Sequence, residues 1–181
     1  MEFVVENVGR RDTVWTMGIG DNSLNGYERN VLLRNQGKDG FIDVGYLTDA
    51  NEIGDGRAVA VADFDRDGQV DLLVQNFENS VALLMGRDAP GHWLHLKLEG
   101  TEGNRDAAGA VVTIETENGR QTRQVARGNA FLACSSPVLH FGLGTAKTVK
   151  RVEVRWPGGH RQTLTNVEAN QRLELRESKQ P

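Results

Sequence analysis

The shortness of its apolar runs constrains this chain more than any other feature. Residues 58–62, 70–75 and 80–85 are strand-length stretches rich in Val, Leu and Ala, each bounded by Asn, Asp or Gly. The third run stops at Gly86. Residues 94–99, 111–116, 152–156 and 173–176 alternate apolar and polar side chains, as strands with one dry and one wet face do. Leu94-His95-Leu96-Lys97-Leu98-Glu99 is the cleanest of them and places His95 on the wet face. No stretch long enough for a helix keeps an amphipathic 3.6 period free of Gly, and Gly is abundant at 21 of 181 residues. Glu117-Asn118-Gly119-Arg120 sets Asn-Gly between two alternating runs, a strong hairpin signal. Residues 30–35 and 40–44 read as two further strands around a Gly-Lys-Asp turn. The expected fold class is all-β.

Charge divides the chain. Residues 1–90 hold 8 basic against 16 acidic side chains, and residues 91–181 hold 13 against 9. Gly86-Arg87-Asp88-Ala89-Pro90-Gly91 lies where the balance changes sign and combines Gly, Pro and charge. Two modules are therefore expected, 1–88 and 91–178. The basic half has no block of like charges, so no nucleic-acid partner is expected. No run of 18 apolar residues exists, so no membrane span is expected. The first residues carry acids and no apolar core of signal-peptide length, which predicts a cytoplasmic chain unless a leader was removed. Cys134 is the only cysteine, which excludes an internal disulfide and any cysteine-built zinc site.

The sharpest chemistry is Asp63-Phe64-Asp65-Arg66-Asp67-Gly68-Gln69-Val70-Asp71. Hard cations such as calcium take about 6–8 oxygen ligands. Carboxylates at alternate positions of a tight loop (Asp63, Asp65 and Asp67) can point at one centre. Gly68 permits the sharp turn, the Gln69 carbonyl then faces the same centre, and Asp71 closes the shell from the next strand. Magnesium keeps more of its waters and uses fewer protein ligands, so calcium is the expected cofactor. Gly20-Asp21-Asn22-Ser23-Leu24-Asn25-Gly26 is a candidate degenerate second loop with one carboxylate. Asp49-Ala50-Asn51-Glu52-Ile53-Gly54-Asp55 is acidic at a spacing that fits no cation template.

The loop lacks the flanking helices and the Glu at position 12 of an EF-hand. It resembles the calcium loop of FG-GAP or VCBS repeats, the blades of integrin-like β-propellers. That resemblance implies an ion held by Asp63, Asp65, Asp67, Asp71 and the backbone of Gln69, a position often acidic in those repeats. A closed propeller needs at least four blades, more than some 90 residues supply. From His92-Trp93-Leu94 to about residue 177 the chain resembles the ASPIC/UnbV domain. The matching pieces are Asn104-Arg105-Asp106-Ala107-Ala108-Gly109-Ala110, Ser135-Ser136-Pro137-Val138-Leu139-His140-Phe141-Gly142-Leu143-Gly144, and Val152-Glu153-Val154-Arg155-Trp156-Pro157-Gly158-Gly159. Proteins of this arrangement include cartilage acidic protein-like chains and bacterial proteins of enediyne gene clusters, and the Arg-rich, disulfide-free composition favours the bacterial kind.

The expected architecture is therefore a pair of propeller-blade-like calcium-loop β-hairpins followed by a β-sandwich-like domain. Trp156 is expected to cover the core edge, and Arg105 to fasten its loop or to pair with the acidic half. No catalytic residue is assigned. Ser136 and His140 lie about 13 Å apart on an extended segment, too far to share a proton. Cys134 reads as a small buried hydrophobe. His92 and His95 face opposite sides of a strand, and His160 follows a turn and is expected to be exposed. The expected function is a calcium-binding interaction or scaffold protein, accessory to secondary-metabolite biosynthesis, whose partner is another protein or a pathway small molecule. An enzyme or carrier using a cleft between the halves, and a calcium-dependent adhesion module, are the alternatives. Exposed strand edges make a homodimer plausible.

Overall fold

The computed structural model describes residues 2–8, 28–77, 79–128 and 130–178. Its elements are strands and short 3₁₀ turns, with no α-helix among the described residues. In chain order the strands are β1 (Glu2–Val8), β2 (Leu33–Asn35), β3 (Phe41–Asp43), β4 (Gly56–Ala62), β5 (Asp71–Asn76), β6 (Val81–Arg87) and β7 (His92–Glu99). They continue with β8 (Val111–Thr116), β9 (Gly119–Gln124), β10 (Leu139–Gly144), β11 (Thr148–Arg155), β12 (Arg161–Glu168) and β13 (Gln171–Arg176). The protein is all-β, as its sequence predicts. No described helix is long and apolar enough to cross a membrane.

The chain gathers into two compact units. One comprises the described part of Met1–Phe64 with Val70–Ala89 and Ala130–Cys134, and the other Asp65–Gln69, Pro90–Asn129 and the described part of Ser135–Pro181. The first unit is built on a four-stranded antiparallel sheet in the order β1-β6-β5-β4, beside the β2–β3 ribbon. Its core is small: Ala50, Val74, Ala82 and Leu84, with Leu32 and Leu72 packed against them. Val31, Leu33, Phe41, Tyr46 and Leu47 remain exposed. β6 does not stop at Gly86 but runs through it to Arg87. Glycine is tolerated there because its N–H has a dedicated acceptor, the Asp71 carboxylate.

The second unit has two sheets, β10-β7-β13 and β12-β11-β8-β9. Their inward-facing residues form one core: Leu94, Leu96 and Leu98 from β7, Val112 and Ile114 from β8, Phe141 and Leu143 from β10, and Val152 and Val154 from β11. Each such side chain stabilises the fold by roughly 1.5–3 kcal/mol relative to an exposed one. This is a sandwich-like arrangement, and the β8–β9 hairpin forms as expected but turns one residue earlier, at Glu117-Asn118, with Gly119 already paired to Thr116. Trp156 does not cover the edge of this core; it is fully buried within it. The turn that follows is closed by the Trp156 N–H donating to the His160 carbonyl and the Gly159 N–H to the Trp156 carbonyl, and the indole joins the core cluster of the two sheets. His160 is half-buried rather than exposed, because its ring meets the Ser178 hydroxyl.

Candidate metal centre

The acidic loop closes the β4–β5 hairpin, whose last paired residues are Ala62 and Asp71. Its residues play distinct parts. Asp71 is fully buried. Its Oδ2 accepts the Phe64 N–H at 2.7 Å, and its Oδ1 accepts the Gly86 N–H at 2.8 Å. A buried carboxylate without such donors costs several kcal/mol. Here the backbone supplies them, and Asp71 in turn ties the loop entrance to the neighbouring strand β6. A carboxylate offers about four lone-pair directions, so two amide bonds leave it able to ligate a cation.

The exposed turn is a chain of aspartate-to-backbone bonds. Asp65 Oδ1 accepts the Asp67 N–H, and Asp67 Oδ1 accepts the Gln69 N–H at 2.8 Å. Such bonds are how short acidic side chains hold tight turns. Between them Arg66 and Gly68 take positive φ values of 65° and 91°. Gly68 is also required by space. An added Cβ would lie 2.0 Å from Trp93 Cε2, and both residues belong to the second unit.

This backbone brings one ligand oxygen from each of Asp63, Asp65 and Asp71 within 4.8 Å of the others. Asp63 is half-buried, Asp65 exposed and Asp71 buried. Three carboxylates so close repel one another unless a cation neutralises them. The donors are all hard oxygens with no nitrogen or sulfur among them, a set suited to calcium or magnesium rather than to zinc or copper. The triad could thus hold a metal ion. Asp67 is not one of the three, and its Oδ2 is engaged by the Gln69 side-chain amide at 2.8 Å.

The remaining candidates are dispersed. Residues 20–26 lie outside the described residues. In the 49–55 segment Asp55 pairs with Arg57 at 2.7 Å. Arg105 contacts Glu99, at 3.6 Å, inside its own unit, and fastens its loop there. Ser136 Oγ accepts the Val138 N–H, while the His140 ring is hydrogen-bonded to that of His95. Cys134 is exposed, not buried. It follows a tight turn spanned by the Ala130–Ala133 bridge, with Leu132 at φ 52° and both Phe131 and Leu132 exposed. Cys134→Ala is accordingly expected to change stability by less than about 0.5 kcal/mol. Denaturant melts check this, and labelling of the native protein by a thiol reagent should mark this one site.

One arrangement escapes sequence inspection. His95 and His140 meet across β7 and β10 with Nε2 and Nδ1 2.8 Å apart. They are separated by 45 residues, and no local pattern announces which distant strand pairs with β7. Burial, and then the Arg172 guanidinium, hold the His95 imidazole below its ordinary 6.5.

Residues 100–181 match the family model described as ASPIC and UnbV. The chain is also homologous to cartilage acidic protein 1. It is 33% identical to that of Xenopus tropicalis over 132 residues, covering 70% of this chain and 20% of the relative. It is 32% identical to that of Mus musculus and 33% to that of Homo sapiens, each over 129 residues and 67% of this chain. The chain spans about a fifth of the length of these curated relatives.

Proposed function

We propose that this chain is a calcium-binding interaction or scaffold module, in which an ion held by the acidic loop stiffens the β4–β5 hairpin as part of a surface that another protein recognises. The convergence of the Asp63, Asp65 and Asp71 oxygens within 4.8 Å carries this reading. Asp67 and the Gln69 carbonyl complete the ligand set once the turn tightens around the ion, as in FG-GAP or VCBS repeats. The large apolar side chains exposed on the first unit, including Phe41, Tyr46 and Leu47, support a role in protein contact. The ASPIC/UnbV domain and the homology to cartilage acidic protein 1 support a binding role over a catalytic one.

The test is the melting temperature of the demetallated protein, titrated with calcium and separately with magnesium. At a free concentration about 100 times the dissociation constant, calcium should stabilise by about 2.7 kcal/mol, a shift of several degrees. Magnesium should give a smaller shift, and Asp65→Ala should abolish both. No shift in a protein shown to be free of metal, or an unchanged calcium affinity in the variant, overturns the assignment.

A further inference from the structure

The sheet β12-β11-β8-β9 buries one face in the sandwich core and turns the other to solvent. On β11, Val152 and Val154 point inward, so Arg151, Glu153 and Arg155 point outward. Residues directly opposite across a ladder share a face, and the register lays that outer face out in rows. Nearest the Trp156 turn, Arg155 lies between Arg161 on β12 and Val111 on β8. In the next row Glu153 lies between Thr163 and Thr113, and the Thr113 hydroxyl meets that of Thr122 on β9 at 3.1 Å. In the third, Arg151 lies between Thr165 and Glu115, with Arg120 beyond them on β9. All four arginines are exposed. These rows thus set four guanidiniums against two carboxylates, and one carboxylate is shared. Glu153 accepts from Arg151 at 2.6 Å and from Arg161 at 2.7 Å. The cross-strand neighbours of Arg155 are Arg161 and Val111, neither of them acidic.

Like charges directly opposite one another weaken a sheet, and Glu153 is already engaged by two guanidiniums. The Arg155–Arg161 row therefore gains from an anion laid across both side chains, whose Cβ atoms stand about 4.5–5.5 Å apart. A carboxylate has two oxygens, which one guanidinium fork satisfies. A sulfate ester has three terminal oxygens and can serve two forks at once. Beside these arginines Thr163, Thr122 and Gln124 are exposed, and their hydroxyls and amide match the hydroxyls of a sugar. A protein partner fits less well. Val111 is the one large apolar side chain in these rows, whereas the centre of a protein interface needs aromatic or aliphatic anchors. Single-stranded nucleic acid fits less well too, because the rows hold no aromatic ring on which a base could stack. We propose that the outer face of β12-β11-β8-β9 binds a sulfated polysaccharide. Arg155 and Arg161 share one sulfate, and Arg151, about 13 Å along β11, meets a further one. This surface shares no residue with the acidic loop and requires no metal.

The probe is a heparin octasaccharide, titrated calorimetrically into the full chain in EDTA, at low salt and again at about 0.15 M, where surface charges are screened more. Binding is expected, and it should weaken as salt rises. Polygalacturonate, a carboxylate polysaccharide, and polyglutamate, an acidic polypeptide, should both bind more weakly by about fivefold or more. Arg155→Gln/Arg161→Gln should lose about tenfold or more of the heparin affinity. Lys147→Gln/Arg176→Gln removes the same charge from positions off these rows and should lose less than about threefold. Arg155→Gln alone leaves both Glu153 ion pairs in place, so it serves if the double variant does not fold, and it should weaken binding about threefold or more. Absence of heparin binding overturns the proposal. So do equal binding of either carboxylate polymer, equal losses in the two double variants, or an unchanged affinity in Arg155→Gln, each of which would show attraction by charge alone. Because EDTA is present throughout, the result stands apart from the calcium assignment.

Discussion

Asp71→Ala is expected to destabilise the metal-free protein by about 2–5 kcal/mol, whereas Asp65→Ala should cost less than about 0.5 kcal/mol under the same conditions. The two residues belong to the same triad, yet their environments differ. Removing the Asp71 carboxylate strands the Phe64 and Gly86 amides, each deprived of its acceptor, and opens a void at a fully buried position. Asp65 is exposed and accepts the Asp67 N–H at 3.2 Å. Asp71→Asn keeps one acceptor oxygen and should recover about half of the loss. Denaturant unfolding in EDTA, repeated with calcium, separates the two roles. Both alanine variants should lose the calcium-dependent gain, but only Asp71→Ala should be weakened before any calcium is added. Equal stabilities of the two variants in EDTA would show that the amide bonds at Asp71 contribute nothing.

The second large effect is expected at Gly68. Gly68→Ala should cost about 2–5 kcal/mol, the sum of a side chain forced to positive φ and of a Cβ driven into the Trp93 indole. The collision has no cheap escape, since the nearest atoms are those of the rigid ring of Trp93, which itself packs against His95. Gly109, also at positive φ but with open space around its Cβ position, is the control. Gly109→Ala carries the backbone penalty alone, about 1–2 kcal/mol. Thermal melts of the two variants measure the difference. If they match, the Gly68–Trp93 packing contributes nothing to stability.

Much of this architecture is visible in local pattern. The runs at 58–62, 70–75 and 111–116 became β4, β5 and β8, with shifts of one or two residues at their ends. The β8–β9 hairpin was legible, to within one residue of its turn, because its chemistry is complete within four residues. The carboxylate triad was legible for the same reason, since Asp63, Asp65 and Asp71 lie within nine residues. What escaped depends on distant partners. Gly86 looked like a strand end and is not, because the Asp71 carboxylate 15 residues away accepts its N–H. His95 occupies the wet position of an alternating strand and is nevertheless buried, because Trp93, His140 and Arg172 surround it. Cys134 has the composition of a core residue and sits on an exposed turn instead. Burial is decided by what lands on a face, and sequence alternation records only that there are two faces.

The central position of β7 has a consequence for biosynthesis. Its two neighbours are β10 and β13, and the pairing with β13 is parallel, joining Leu94 to Gln171 and Arg176 to Glu99. Parallel pairing cannot be closed by a hairpin, so nearly the whole domain intervenes between the two strands. A ribosome delivers the chain from its amino end, and β7 emerges with both flanks unsatisfied, the β10 side until residues 139–144 and the β13 side until residues 171–176 have cleared the exit tunnel. Contacts of such sequence separation are slow to form. Until then, β7 offers a ladder of unpaired amides and carbonyls to any strand nearby, an aggregation-prone state. The domain matures as a whole only after translation of its last strand, and a chaperone that shields β7 in the interval would raise its yield.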